Sequence, residues 1–280
     1  MTAIWKTPQG RRAVLDAYAA IRAAWPVPRE ELRAATRHGE TFVVASGDPA
    51  SPPLVLLHGA GSNAFMWMGD VAAWAEHFRV YAVDVIGEPT ESAPSRPPRQ
   101  GPAYAEWLDD VMTGLGLERA AFVGLSLGGW LALDYAIRRP ERVERLAILC
   151  PGGVGAVKLS FLLRASLLAF SGPKGRKRIL DAAGGRELPP PIAAFLALIY
   201  THFIPRRDPL PIFPDAALAG LKMPILAIVG AKDTLIDSAG TQRRLGRAAP
   251  HARIVVLPEA GHFLAGQTAP VLAFLREGAA

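Results

Sequence analysis

The sequence predicts an α/β protein: a parallel sheet covered by helices on both faces, with a helical insertion late in the chain. Three observations predict it. Short continuous apolar runs alternate with segments of helical periodicity, as in strands buried on both faces and joined by crossover helices. Gly124-Leu125-Ser126-Leu127-Gly128 lies between one such run, Ala120-Ala121-Phe122-Val123, and a helix-like stretch that starts at Trp130. About seventy residues separate Leu149 from Ile225, far more than one crossover needs.

The elements follow in order. Val14, Leu15, Tyr18, Ile21 and Trp25 recur at helical spacing, and Pro26 and Pro28 end that helix. Thr41-Phe42-Val43-Val44-Ala45 reads as a strand near the sheet edge. The Pro52-Pro53 pair marks a turn before the buried run Leu54-Val55-Leu56-Leu57. Val80-Tyr81-Ala82-Val83 is the next strand. Trp107, Leu108, Val111, Met112 and Leu115 form one helical face before the strand at residues 120–123. Leu146-Ala147-Ile148-Leu149, Ile225-Leu226-Ala227-Ile228-Val229 and Ile254-Val255-Val256-Leu257 complete the apolar runs.

The long interval is helix-like, apolar and interrupted by Pro189-Pro190-Pro191. Its apolar residues include Phe161, Leu162, Leu167, Leu168, Phe170, Phe195, Leu196, Ile199 and Phe203. We read it as a cap over the C-terminal ends of the strands. It also carries most of the net charge of +6, with nine Lys/Arg against four Asp/Glu between Pro151 and Gly220. The tightest basic cluster, Lys174 to Arg178, has no interleaved aromatics and no binding module beside it, so it reads as a solvated loop and implies no nucleic-acid partner.

With 280 residues, the chain suits one large α/β domain with an insertion. Its single cysteine, Cys150, ends an apolar run and reads as buried packing; it excludes an internal disulfide and a zinc-cysteine cluster. No run is long enough to span a bilayer; the best candidate, residues 159–170, is short and interrupted by Arg164. The N-terminus lacks the apolar core of a signal peptide, so a cytoplasmic location is expected.

The chemistry is read from the strand-to-helix junction. A serine between two glycines there fits a nucleophile elbow, with Oγ lifted above the sheet and the next helix aiming N–H groups at the site. A serine hydroxyl needs a base within reach and a third group to orient that base. Of six histidines, only His262 follows a late strand in a loop, Pro258-Glu259-Ala260-Gly261-His262. Asp233 stands just beyond the strand at residues 225–229, at the end of a parallel sheet where catalytic groups collect. Asp237 is the nearest competitor and Glu259 a weaker one. The oxyanion donors are expected to be the backbone N–H groups of Leu127 and of Ala60, in His58-Gly59-Ala60-Gly61. Gly152-Gly153-Val154-Gly155 lacks a nucleotide-binding pattern, so no cofactor and no metal are implied.

With these residues quoted, the chain resembles an α/β-hydrolase over most of its length, through residues 56–59, 83–87, 124–128, 230–233 and 261–262. The order Ser126, Asp233, His262 is that of this fold. A closer resemblance is to small bacterial carboxylesterases, through Trp25-Pro26-Val27-Pro28, Asp84-Val85-Ile86-Gly87-Glu88-Pro89 and Tyr104-Ala105-Glu106-Trp107-Leu108. The resemblance implies an eight-stranded, mostly parallel sheet and a cofactor-free serine esterase acting on a small-molecule ester. It implies a core split between residues 1–150 and 221–280, a cap over residues 151–220, and a structural turn role for Asp84. The same triad would also serve a C–C bond hydrolase, a lactonase, an amidase or a perhydrolase, and the scaffold would also suit a non-catalytic binding protein. A serine nucleophile argues against haloalkane dehalogenation. Oligomeric state and physiological substrate are not encoded in these motifs.

Overall fold

The computed structural model describes residues 4–160 and 190–277. Its strands are β1 (Arg29–Ala34), β2 (Thr41–Ser46), β3 (Pro53–Leu57), β4 (Arg79–Val83), β5 (Ala120–Leu125), β6 (Val143–Leu149), β7 (Ile225–Gly230) and β8 (Arg253–Leu257). They form one sheet in the order β1-β2-β4-β3-β5-β6-β7-β8. β2 runs antiparallel to both of its neighbours, and every pairing from β4 through β8 is parallel. The helices are α1 (Pro8–Ala23), α2 (Val71–Ala75), α3 (Ala103–Gly114), α4 (Leu127–Arg138), α5 (Pro190–His202), α6 (Asp215–Ala219), α7 (Ser238–Ala248) and α8 (Thr268–Arg276). Among the described residues, no helix is long and apolar enough to cross a membrane.

Alternation along each strand divides the core in two, because successive side chains point to opposite faces. Val55 and Leu57 of β3 join Trp107, Phe122, Trp130 and Ile148 on one face. Leu54 and Leu56 join Val14, Tyr18, Trp74, Val123 and Phe274 on the other. β1 is a strand that apolar runs do not reveal: Arg29-Glu30-Glu31-Leu32-Arg33-Ala34 is mostly exposed, and it takes the edge position beside β2. Charged side chains suit an edge that must not pair with another chain.

Of the stretch between β6 and β7, the residues described are 150–160 and 190–224. Phe161, Leu162, Leu167, Leu168, Phe170 and the basic cluster at 174–178 lie outside the described residues. Within α5, Phe195 and Ile199 are buried, and Phe195 packs on Tyr18 and Phe65. Phe203 contacts Trp5 edge-on. These apolar residues belong to the core shared with α1. Further along, Phe213 stacks on Trp130.

Asp84, after β4, is a buried turn residue. Its Oδ1 accepts from Tyr18 Oη at 2.9 Å and Ala64 N–H at 3.0 Å, and its Oδ2 from Glu91 N–H at 3.1 Å. Burial pushes its carboxyl up to about 7, against the pull of those donors and of Arg22. An amide in its place would set an NH2 group against at least one backbone N–H. Asp84→Asn is therefore expected to cost about 1–3 kcal/mol, read as a lower urea midpoint. An unchanged midpoint would remove Asp84 from the framework.

Candidate active site

β5 delivers Ser126 directly to the first residue of α4. Ser126 sits at φ 53, ψ −107, a conformation that a side chain rarely adopts and that costs on the order of 1–3 kcal/mol. Three bonds hold it there: Ser126 N–H to Leu149 O at 2.9 Å, and Ser126 O accepting from Trp130 N–H at 3.0 Å and Gly152 N–H at 3.1 Å. The flanking glycines are steric requirements. A Cβ on Gly124 would fall on the Gly128 carbonyl oxygen, and one on Gly128 would fall on that of Leu57. Packing this tight brings β3, β5 and α4 close enough to share one site.

β7 ends at Gly230 and Asp233 follows in the turn, where Leu235 and Ile236 N–H donate to its Oδ1 at 2.7 and 3.0 Å. Its Oδ2 lies 2.8 Å from His262 Nδ1, and His262 Nε2 lies 2.9 Å from Ser126 Oγ. The tautomer follows from the donors. An ionised carboxylate only accepts, so Nδ1 carries the proton and Nε2 offers its lone pair to the serine hydroxyl. Asp233 and His262 are both buried. Burial alone would raise the Asp233 carboxyl; the hydrogen bond and electrostatic pull of His262, with the two amides, outweigh it and hold the carboxyl below its ordinary value.

The competing acids point elsewhere. Asp237 faces Arg243 at 3.6 Å, and the exposed Glu259 pairs with Lys232. Three of the other five histidines show why they are not the base. His58 is buried and pulled down to about 4, mainly by burial, so its ring is neutral. Its Nε2 accepts from Val85 N–H at 2.9 Å and its Nδ1 donates to Gly59 O at 2.8 Å. His38 and His77, which precede strands in the sequence and read as surface residues, are half-buried.

Leu127 opens α4, so its N–H has no intrahelical acceptor and lies at the positive end of the helix. Ala60, in the turn after β3, is itself exposed between the buried Gly59 and Gly61. A cavity of about 250 Å³ is lined by Leu125 and Phe263, the sequence neighbours of Ser126 and His262, and by Met66, Trp67, Leu149 and Leu264.

Cys150 was legible as buried but not as a neighbour of the triad residues. Its thiol, the Asp233 carboxylate and a His262 ring nitrogen lie within 4.8 Å of one another. Burial, then the Asp233 charge, pushes the thiol up to about 12. A metal there would have to strip that proton and break the Asp233–His262 bond, so the trio is a poor donor set.

Comparison with known proteins gives the family. A family model described as the Alpha/beta hydrolase family matches residues 54–275. An uncharacterised carboxylesterase, nap, of Bacillus subtilis (strain 168) is 33% identical over 249 residues, 86% of this chain and 83% of that protein. Carboxylesterase YbfK of the same organism is 31% identical over 260 residues, 89% of this chain and 87% of its own length. The crystal structure of naproxen esterase (carboxylesterase NP) from B. subtilis superposes with a TM-score of 0.85 at 30% identity, covering 97% of this chain and 98% of that one. With its strand-to-helix serine, its mostly parallel eight-stranded sheet and these matches along most of its length, the chain belongs to the alpha/beta hydrolase family.

Proposed function

We propose that the chain is a carboxylesterase that works through an acyl-enzyme on Ser126. The observation that carries this reading is the hydrogen-bonded line from Ser126 Oγ through His262 to Asp233, mounted on the strained turn. Ser126 attacks the ester carbonyl while His262 takes its proton, and Asp233 holds the imidazole and stabilises its cation. The N–H groups of Leu127 and Ala60 receive the oxyanion. His262 then protonates the leaving alcohol and activates water for deacylation. Relatives named carboxylesterase and naproxen esterase, near 30% identity across most of their lengths, support an ester substrate.

In the same reading, residues 151–220 form a cap on a core of residues 1–150 and 221–280. Tyr200 of α5 lies beside Gly61 in the loop after β3, and Leu210 lies against Gly152, which favours this placement. A cytoplasmic location belongs to the same reading, since the one cysteine is buried and needs no oxidising compartment. The test is labelling with a fluorophosphonate, followed by a p-nitrophenyl ester panel run beside a β-diketone panel. Labelling at Ser126 with ester turnover is the expected result. Turnover of diketones alone would shift the reading to C–C hydrolysis, and no labelling would leave a binding protein.

In the same reading, the cavity lined by Leu125, Phe263, Met66 and Trp67 receives the acyl or alcohol chain, so chain length matters. Each buried CH₂ is worth about 0.8 kcal/mol, so kcat/KM is expected to rise roughly fourfold per carbon until the apolar walls are filled. A flat profile from acetate to laurate would remove the cavity from acyl or alcohol binding. Anionic esters are expected to gain little from the basic segment. Arg206 is committed to Asp208 at 2.6 Å, Pro97 O at 2.6 Å and Tyr104 Oη at 3.1 Å, and Arg207 is exposed. Charge beyond about 10 Å is screened at 0.1 M salt.

A further inference from the structure

We propose that Glu88 is a positioning residue, whose buried carboxylate holds the Gly61 N–H and so aims the Ala60 N–H at the substrate oxyanion. The proposal rests on the esterase reading above. Its starting point is that Ala60 is exposed while its two neighbouring peptide groups are pinned. Packing therefore does not orient Ala60; hydrogen bonds do. On one side, His58 Nδ1 holds the Gly59 carbonyl at 2.8 Å. In a trans peptide the N–H points opposite to the C=O, so this bond turns the Ala60 N–H away from His58. On the other side, Gly61 N–H donates to Glu88 Oε2 at 2.6 Å. That bond fixes the Ala60–Gly61 peptide and spends the Gly61 N–H on the carboxylate, leaving Ala60 as the donor of this turn.

The surroundings of Glu88 are unusual for a framework acid. It is 5% exposed. Arg96 and Arg99, from the loop after β4, and Arg206, after α5, all favour its charge, and Tyr104 of α3 and Tyr200 of α5 face it as well. The guanidiniums are themselves tied elsewhere: Arg96 to Gly87 O at 3.1 Å and Ile204 O at 2.5 Å, Arg99 to Asp208 at 3.9 Å, and Arg206 to the partners given above. They act on Glu88 at a distance and leave its Oε2 free for Gly61. Burial pushes the carboxyl up to about 7, against the Gly61 amide and the three arginines that lower it. The ionised carboxylate is the stronger acceptor, so the clamp tightens as pH rises through neutrality and slackens below it.

The experiment is the pre-steady-state acylation burst of the full chain with p-nitrophenyl acetate, from pH 5.5 to 9, for wild type, Glu88→Gln and Glu88→Ala. Thermal midpoints are recorded alongside. Glu88→Ala is expected to slow acylation about 10–100-fold with KM within about twofold, as for a donor displaced by about an ångström. Glu88→Gln keeps a neutral acceptor. It is expected to slow acylation modestly at high pH and to make the acidic limb shallower than that of wild type, because the Glu88 carboxyl no longer titrates. A purely structural role would lower the thermal midpoint and leave the shape of the profile unchanged. Acylation by folded Glu88→Ala at the wild-type rate, or a Glu88→Gln limb as steep as wild type, would overturn the proposal. Should Glu88→Ala not fold, the Glu88→Gln profile decides. No release of p-nitrophenolate by wild type, in the burst or at steady state, would instead bring down the esterase reading itself, and this proposal with it.

Discussion

Replacing Ser126 by alanine is expected to lower ester turnover by about 10⁴–10⁶-fold, as for other triad nucleophiles, with little change in stability. The two halves of this expectation have separate causes. Oγ is the only atom removed, and among the described residues no other hydroxyl occupies the turn that faces His262 Nε2 at 2.9 Å. The backbone is untouched, since alanine keeps a Cβ and must accept the same φ of 53. The strain therefore stays, and only one hydrogen bond is lost, about 0.5–1.5 kcal/mol. Ser126→Gly separates the two effects. It is expected to be equally inactive but more stable than Ser126→Ala, because glycine adopts positive φ at little cost. The checks are kcat by p-nitrophenyl ester release and the urea midpoint. A Ser126→Ala variant that keeps a tenth of wild-type turnover would end the serine-nucleophile reading.

The parts of this site that lie on strand ends were legible in the sequence. β3, β5 and β7 are short apolar runs without charged residues, and Ser126 and Asp233 follow two of them within three residues. The apolar-run signal fails at β1, because an edge strand exposed to water needs no continuous apolar run: Arg29, Glu30 and Glu31 are all exposed. Contacts across long sequence distances were not legible either. Glu88 meets Gly61 from 27 positions away, and His58 meets Val85 at the same separation. Both bonds depend on β3 and β4 lying side by side in parallel register, with Leu57 opposite Val83. A run such as Gly87-Glu88-Pro89 reads only as a polar turn until that register is known. Cys150 is similar: its burial follows from the apolar run before it, but its place beside Asp233 depends on the β6–β7 pairing.

The same limit applied to the acid, where sequence position left Asp233 and Asp237 in competition, and a pair of amide substitutions is expected to separate them. Asp233→Asn should lower kcat by about 10⁴-fold, the size seen when a triad acid becomes an amide. The direction follows from the donors around it. Leu235 and Ile236 N–H both point at Oδ1, so an asparagine must place its carbonyl oxygen there and its NH2 group toward His262. That NH2 donates to Nδ1, which drives the ring proton to Nε2, where it faces Ser126 Oγ and can no longer accept the serine proton. An amide flip does not rescue the site, because it would set the NH2 against two backbone donors. The fold should tolerate the change, since both backbone bonds survive. Asp237→Asn should leave kcat within about a factor of two: its carboxylate faces the largely exposed Arg243 at 3.6 Å, an ion pair worth about 0–1 kcal/mol at a surface. The measurement is kcat for both variants with one p-nitrophenyl ester, beside fluorophosphonate labelling rates. Those rates should fall for Asp233→Asn and hold for Asp237→Asn. If the two variants exchange behaviour, the acid of this site is Asp237, and the 2.8 Å contact between Asp233 and His262 has no part in turnover.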